Sequence, residues 1–317
     1  MISKWNIKPY SVSLKKEWDD FVLHSRNGTF LFRRDYMDYH ADRFEDCSLM
    51  IYYEEILKSL IPAHRKGDVF YSHQGLTYGG IIVDATMKAG AMLELFEEVI
   101  RYLNSVSITK WIYSPVPYIY SKYPSEEDLY ALYRLDARLA ARKISTVIPL
   151  VADKLDFSES KRWRVRKAVR EGLVLCQDDH FDLFWLILEN NLREKYDSRP
   201  VHTLEEIQRL HKYFPDNIVL YRVCNADGNT VAGCVMYVTD TVAHAQYISS
   251  TEEGRRKRAV DFLFWHLINE TYAHKKYFDL GTSVVQGGRI LNESLIHQKE
   301  DLGGRAVVYD TYELDIR

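Results

Sequence analysis

Four consecutive basic residues, Arg255, Arg256, Lys257 and Arg258, follow Gly254 in the stretch HAQYISSTEEGRRKRAVDFLFWHLINE, residues 244–270. The stretch reads as a strand, a turn and a helix that is apolar on almost every face. Unpaired N–H groups and the helix dipole make a helix N-terminus an anion site. Cations at that end oppose the dipole by about 0.3–1 kcal/mol each. A phosphate-bearing ligand is therefore one reading of the block. The other is a solvated turn closed by a capping box of Ser250 and Glu253, with Glu252 and Glu253 repelling phosphate.

A second basic run, KRWRVRKAVR at 161–170, has Lys or Arg at six of its ten positions. Helical spacing puts Val165, Ala168 and Val169 in a packing stripe and Arg162, Arg166 and Arg170 on another face. Arginine forks suit phosphate oxygens better than Lys does. The run is either a clamp for a phosphate-rich substrate (a nucleotide-sugar, a lipid-linked diphosphate or a tRNA acceptor stem) or a solvated helix face.

Three further stretches carry polar chemistry. YSHQGLTYGG at 71–80 sets His73, Gln74, Thr77 and Tyr78 among glycines that allow close backbone approach. It reads as a cleft-lining loop or as a loop packed on its own Tyr. In HAQYISS, strand alternation puts His244, Gln246 and Ile248 on one face, where they bind substrate or serve structure. LNESLIHQKE at 291–300 is densely polar, with Asn292, His297, Gln298, Lys299 and Glu300 beside Leu291, Leu295 and Ile296. No Ser-His-Asp spacing, metal-ligand motif or Walker loop is present, so hydrolase, metalloenzyme and NTPase readings lack support and no metal is expected.

The elements that must position these residues belong to a chain of 317 residues, 46% hydrophobic and 27% charged, with a net charge of −3. This composition supports a sizeable core and excludes a globally nucleic-acid-attracting protein. The four cysteines, Cys47, Cys176, Cys224 and Cys234, form no C-x-x-C pair and read as reduced thiols. The N-terminal stretch lacks a signal-peptide apolar core. The longest apolar run falls far short of the ~20 residues a membrane span needs. A cytoplasmic protein without stable membrane insertion is expected.

Periodicity predicts helices over Leu14–Ser25 and Tyr36–Phe44, then strands in SLMIYYEE, LKSLIPAHR and DVFYSH. An amphipathic helix over Met87–Leu103 and a strand in KWIYSPV follow. The order then recurs. Helices are predicted over Phe181–Lys195 and Thr203–Tyr213, the second with Thr203 as N-cap and Glu206 completing a capping box. A hairpin turning at Asp227-Gly228-Asn229 follows, then a strand in VAHAQYIS, a helix from about Arg255 to Tyr272 and a strand in KKYFDLG. The recurrence predicts two units, residues 1–155 and 156–317, divided in the polar stretch VADKLDFSES. Each unit is α/β, with a mixed sheet whose last strand is parallel to the strand before the crossover helix.

This order resembles the GNAT acyltransferase fold, and two such units in tandem resemble the FemABX peptidyltransferases. KRWRVRKAVREGLVL, RPVHTLEEIQRLHKYFP, YFDLGTS and NESLIHQKEDLGGR are similar to stretches of that family's second unit. The resemblance implies an acyl or aminoacyl transfer to an amine of a cell-envelope or polysaccharide precursor. The donor would be acyl-CoA, an acyl carrier or aminoacyl-tRNA, and the substrate a phosphate-bearing small molecule or a lipid-linked one. It also implies that Lys299 sits at the acyl-transfer site. The chain departs from the usual GNAT phosphate turn, Arg/Gln-x-x-Gly-x-Gly/Ala, because Arg258 stands where a small residue is expected. That departure implies weak acetyl-CoA binding. A conventional acyl-CoA-dependent N-acyltransferase and a non-catalytic scaffold for a nucleotide-linked sugar or RNA are the alternatives.

Overall fold

A computed structural model describes residues 4–151 and 154–317, so Ala152 and Asp153 of the expected dividing stretch lie outside the described residues. The chain forms two compact units. The first runs to Lys143 and takes in Val284–Ile290 and Val308–Arg317; the second comprises Ile144–Ser283 and Leu291–Val307.

In the first unit, β1 (Trp5–Pro9), β2 (Leu49–Tyr53) and β3 (Ile56–Ile61) form an antiparallel sheet with the short strand Ile82–Val83. Pro62 has no N–H to continue β3, and the chain enters a second sheet as β4 (Ala63–Lys66) and β5 (Val69–Ser72). The amphipathic helix α1 (Ala89–Ser105) buries Met92, Leu95, Phe96, Val99 and Leu103, the stripe read from the sequence. It crosses over to β6 (Lys110–Tyr113), which pairs in parallel with β5. The helix expected over Tyr36–Phe44 is instead a single turn, Arg34–Met37, followed by a 3-10 turn. Buried Arg34 draws the carboxylates of Asp38 and Asp46 to 2.5 Å, and that cluster closes the turn.

The second unit opens with residues 144–149 at the end of β7 (Arg138–Pro149) and the basic helix α2 (Glu159–Arg170). Next come β8 (Val174–Gln177), α3 (Phe181–Tyr196) and α4 (Leu204–Tyr213). Thr203 caps α4 with the reciprocal Glu206 bond expected from T-x-x-E. The meander β9 (Ile218–Cys224), β10 (Thr230–Val238) and β11 (Val242–Ser250) is antiparallel. It turns at Gly228, whose φ of 82° suits glycine.

In the second unit, too, an element departs from the sequence reading. The helix expected from Arg255 to Tyr272 is broken into α5 (Glu252–Lys257) and α6 (Ala259–His266) at Arg258, which is left-handed with φ 63° and ψ 35°. A π-turn at Leu267–Thr271 follows. Helix α6 is buried through Ala259, Phe262, Leu263 and Phe264 in the core of this unit. It leads to β12 (Tyr277–Thr282), which pairs in parallel with β11 and antiparallel with β7. The C-terminal elements are α7 (Glu293–Glu300) and β13 (Arg305–Asp315). Each unit therefore carries the crossover helix between parallel strands that the recurrence predicts.

Candidate functional site

The parallel pairing of β11 with β12 covers Val242↔Tyr277, Ala243↔Phe278 and His244↔Asp279. Beyond that pair the strands run on, β11 to Ser250 and β12 to Thr282. The parallel ladder ends at His244 and Asp279. Partners in parallel strands project to the same side, and here His244 Nδ1 lies 2.9 Å from Asp279 Oδ2. A carboxylate only accepts, so Nδ1 carries the proton and Nε2 is the nitrogen left for chemistry.

Asp279 is fully buried. A buried charge is tolerated only when paired and hydrogen-bonded. Besides His244, its carboxylate accepts from Ser145 Oγ at 2.6 Å and from the Gly281 amide at 2.8 Å. Gly281 has φ 77°, and a Cβ there would meet His244 Cε1 at 3.5 Å. Only glycine takes this conformation without strain, so the backbone after Asp279 is bent beside the imidazole.

That bend aims two carbonyls at Lys299. Asn292 accepts from the Leu295 amide at 3.0 Å and fixes the start of α7. Ile296 and Lys299, three residues apart, then share the buried face. Lys299 Nζ donates to Gly281 O at 2.8 Å and Thr282 O at 2.9 Å. Burial pushes its pKa down to about 8, against the opposing pull of Asp279. At neutral pH the ammonium is mostly protonated. Two of its three protons are held by backbone oxygens, leaving one for a ligand.

Lys299 is thus no exposed helix end. It joins His244 through Gly281 and Asp279, and Gln246, also half-buried, lies two residues along β11. The other residues expected in a site are placed as follows. Asn292 is an exposed helix cap and Gln298 is exposed, 3.4 Å from Ser294 Oγ. In the first unit, His73 is buried against Phe44 and His64. Tyr78 is buried with its hydroxyl 3.3 Å from Thr29 Oγ1, while Gln74 is exposed.

The basic turn is built differently from its sequence reading. Thr251, not Ser250, caps the short helix, accepting from the Gly254 amide at 3.0 Å. Gly254 is required by packing, because a Cβ there would meet Val231 O at 2.1 Å. Arg255, Arg256 and Lys257 stand at the C-terminal end of α5, where the dipole favours cations. Arg255 donates to Ser250 O at 3.0 Å, Arg256 lies 3.4 Å from Glu252, and Lys257 lies 3.1 Å from Glu253. Arg258 is exposed. The N-terminal turn of buried α6 holds the protein's own anion, Asp261, bound by Lys161 at 2.5 Å with Arg164 at 3.8 Å. Arg162 and Arg166 are exposed on α2, with Arg162 3.6 Å from Asp156.

Sequence reasoning passed over Asp279, Ser145 and the Lys161–Asp261 pair. The signal for Asp279 was available: an acid inside the apolar strand YFDLG, followed two residues later by glycine.

Residues 158–287 match the family model of the acetyltransferase (GNAT) domain. No curated protein matches the chain. Among solved structures, FemX is similar over 96% of both chains, with a TM-score of 0.67 at 11% identity. L-PGS from Bacillus licheniformis is similar over 84% of this chain and 83% of its own, with a TM-score of 0.56 at 10% identity. A tandem GNAT protein from the clavulanic acid biosynthesis pathway is similar over 99% of both chains, with a TM-score of 0.53 at 10% identity. The chain has a GNAT acyltransferase fold. More particularly, it has the tandem, FemABX-like form of that fold.

Proposed function

We propose that the protein transfers an acyl or aminoacyl group from an ester or thioester donor to an amine of a cell-envelope or polysaccharide precursor. The observation that carries this reading is the Lys299 ammonium, held by Gly281 O and Thr282 O beside the His244–Asp279 pair at the end of the β11–β12 ladder.

The acceptor nitrogen attacks the donor carbonyl carbon. A C–N bond forms, negative charge develops on the carbonyl oxygen, and collapse breaks the C–O or C–S bond. The remaining Lys299 proton stabilises that oxygen more as its charge grows, which lowers the barrier. His244 Nε2 accepts the proton the attacking nitrogen loses, and Asp279 stabilises the resulting imidazolium. The departing oxygen or sulfur takes up the proton that the His244 imidazolium gives back, directly or through solvent, which restores the neutral imidazole. Holding both substrates beside Lys299 and His244 supplies the rest through orientation.

The donor is an acyl ester such as aminoacyl-tRNA rather than acetyl-CoA. The Gly254 and Arg255 amides are spent on Thr251, and Arg258 occupies the left-handed corner of the turn. A pyrophosphate would compete there with Glu252 and Glu253. The protein acts on the cytoplasmic side, where such donors are made.

The test is incubation with amine-bearing envelope precursors and either aminoacyl-tRNA or acetyl-CoA, with mass spectrometry reading the mass added to the amine. An increment that depends on aminoacyl-tRNA is expected. An increment from acetyl-CoA alone favours the conventional N-acyltransferase, and no increment from any ester or thioester donor contradicts an acyltransferase.

A further inference from the structure

Helix α2 presents an outward arc that the chemistry at Lys299 does not use. Arg162, Trp163, Arg166, Val169 and Arg170 are exposed along it, Trp163 by 51% and Val169 by 57%. Lys167 Nζ lies 6.0 Å from the Trp163 ring centroid. The opposite side of the helix is spent in the core, through Ala168 and the buried Lys161–Asp261 pair, and Val165 lies buried between the two sides. Arg164 is also turned toward Asp261. The outward cations are therefore not needed to hold the helix in place.

Beside this arc runs a groove of about 550 Å³. Arg162, Arg166 and Arg170 rim it, and Val165, Val169 and Trp265 supply carbon walls. The three arginines repeat every four residues, so their guanidinium groups line up along roughly 12 Å of helix. Acidic groups nearby are few and solvated: Glu159 and Glu171 at the helix ends are exposed, and Asp156 opposite Arg162 is 84% exposed by side chain. His266 at the far wall is turned to Glu270, at 2.6 Å.

We propose that this groove docks the protein on an anionic phospholipid surface. A lipid phosphodiester lies against Arg162, Arg166 and Arg170, its adjoining glycerol and acyl carbon against Val165, Val169 and Trp265, and Trp163 sits at the headgroup level. Charge complementarity selects an anion, and the carbon walls select one joined to hydrocarbon. A nucleic-acid backbone would meet the same arginines but leave Val165 and Val169 against water-seeking sugar and phosphate. Basic residues next to an exposed Trp are the composition of interfacial segments. The protein's net charge is −3, so attraction to an anionic surface is confined to this face and orients the molecule. The docking is independent of the acyl-transfer reading and is tested without substrate.

The experiment is co-sedimentation of the full chain with phosphatidylcholine vesicles, with or without roughly one-third phosphatidylglycerol, at about 0.1 M salt. Sedimentation with the anionic vesicles and not with phosphatidylcholine alone is expected. Arg162→Ser/Arg166→Ser/Arg170→Ser should weaken it at least tenfold, and Trp163→Phe should reduce the vesicle-induced change in tryptophan fluorescence, the remainder coming from Trp265 in the groove wall. Val169→Asp, at an exposed position, gives a second reading should the triple variant lose its fold. Absence of sedimentation with anionic vesicles overturns the proposal. So does equal displacement by millimolar inorganic phosphate, which would make the groove a free-anion site. Retention of bulk tRNA without vesicle binding would make it a nucleic-acid face and overturns the proposal as well.

Discussion

The ammonium of Lys299 lies 2.8 Å from the carbonyl oxygen of Gly281, the residue whose bend also sets the backbone beside His244. Burying a cation on two carbonyls costs stability, and that cost depends on pH. The folded pKa is about 8, below the ordinary 10.5. Below about pH 8 the group is charged in both folded and unfolded chains, and the full penalty is present. Between about 8 and 10.5 the unfolded chain binds the proton and the folded chain does not, so stability rises with pH. Denaturant titrations should show wild type gaining on Lys299→Met across that window, by on the order of 3 kcal/mol. A flat difference would mean that Lys299 is solvated.

His244 is expected to matter for rate and little for stability, since it is half-buried while Asp279 carries the buried bonds. His244→Gln should lower turnover about 100-fold or more. Its thermal midpoint should stay within a few degrees of wild type. A rate near wild type would leave the proton to solvent.

Arg258 holds a left-handed conformation that costs a non-glycine residue roughly 1 kcal/mol. Arg258→Gly should therefore stabilise the protein by up to about 1 kcal/mol. A loss of stability would mean that the arginine side chain makes a contact that outweighs its backbone strain.

In the first unit, Asp128 is buried with Tyr113, whose hydroxyl donates to it at 2.5 Å. Burial raises its pKa to about 6 from 3.8. The folded chain holds the proton through that window while the unfolded chain releases it, so stability falls as pH rises from about 4 to 6. Asp128→Asn keeps an acceptor for Tyr113 and removes the charge. It should be more stable than wild type at pH 7 by up to about 3 kcal/mol, with the gap closing below pH 4. An unchanged gap from pH 4 to 7 would contradict the burial.

Much of this molecule was readable in its residues because the signals were local. The stripe of α1, the T-x-x-E cap of α4 and the Asp-Gly-Asn hairpin each fix their element within a few residues. Lys299 was legible only through resemblance, since nothing near it in sequence says that its side chain turns onto β12. The break at Arg258 was invisible because Arg carries no turn preference. The left-handed corner there accompanies the packing of Gly254 against Val231, a contact between segments distant in sequence. Asp279 needs Ser145 to bond its carboxylate, and those two residues are brought together only by the pairing of β7 with β12.

The most direct test of the account is the single-turnover rate of acyl transfer to the precursor amine by Lys299→Met, measured alongside wild type at pH 7. Met keeps most of the stem and removes the charge. The rate should fall about 100- to 1,000-fold, with donor affinity held and the variant folded. A rate within a few-fold of wild type from a folded variant would contradict the role of Lys299 and the transfer site built around it.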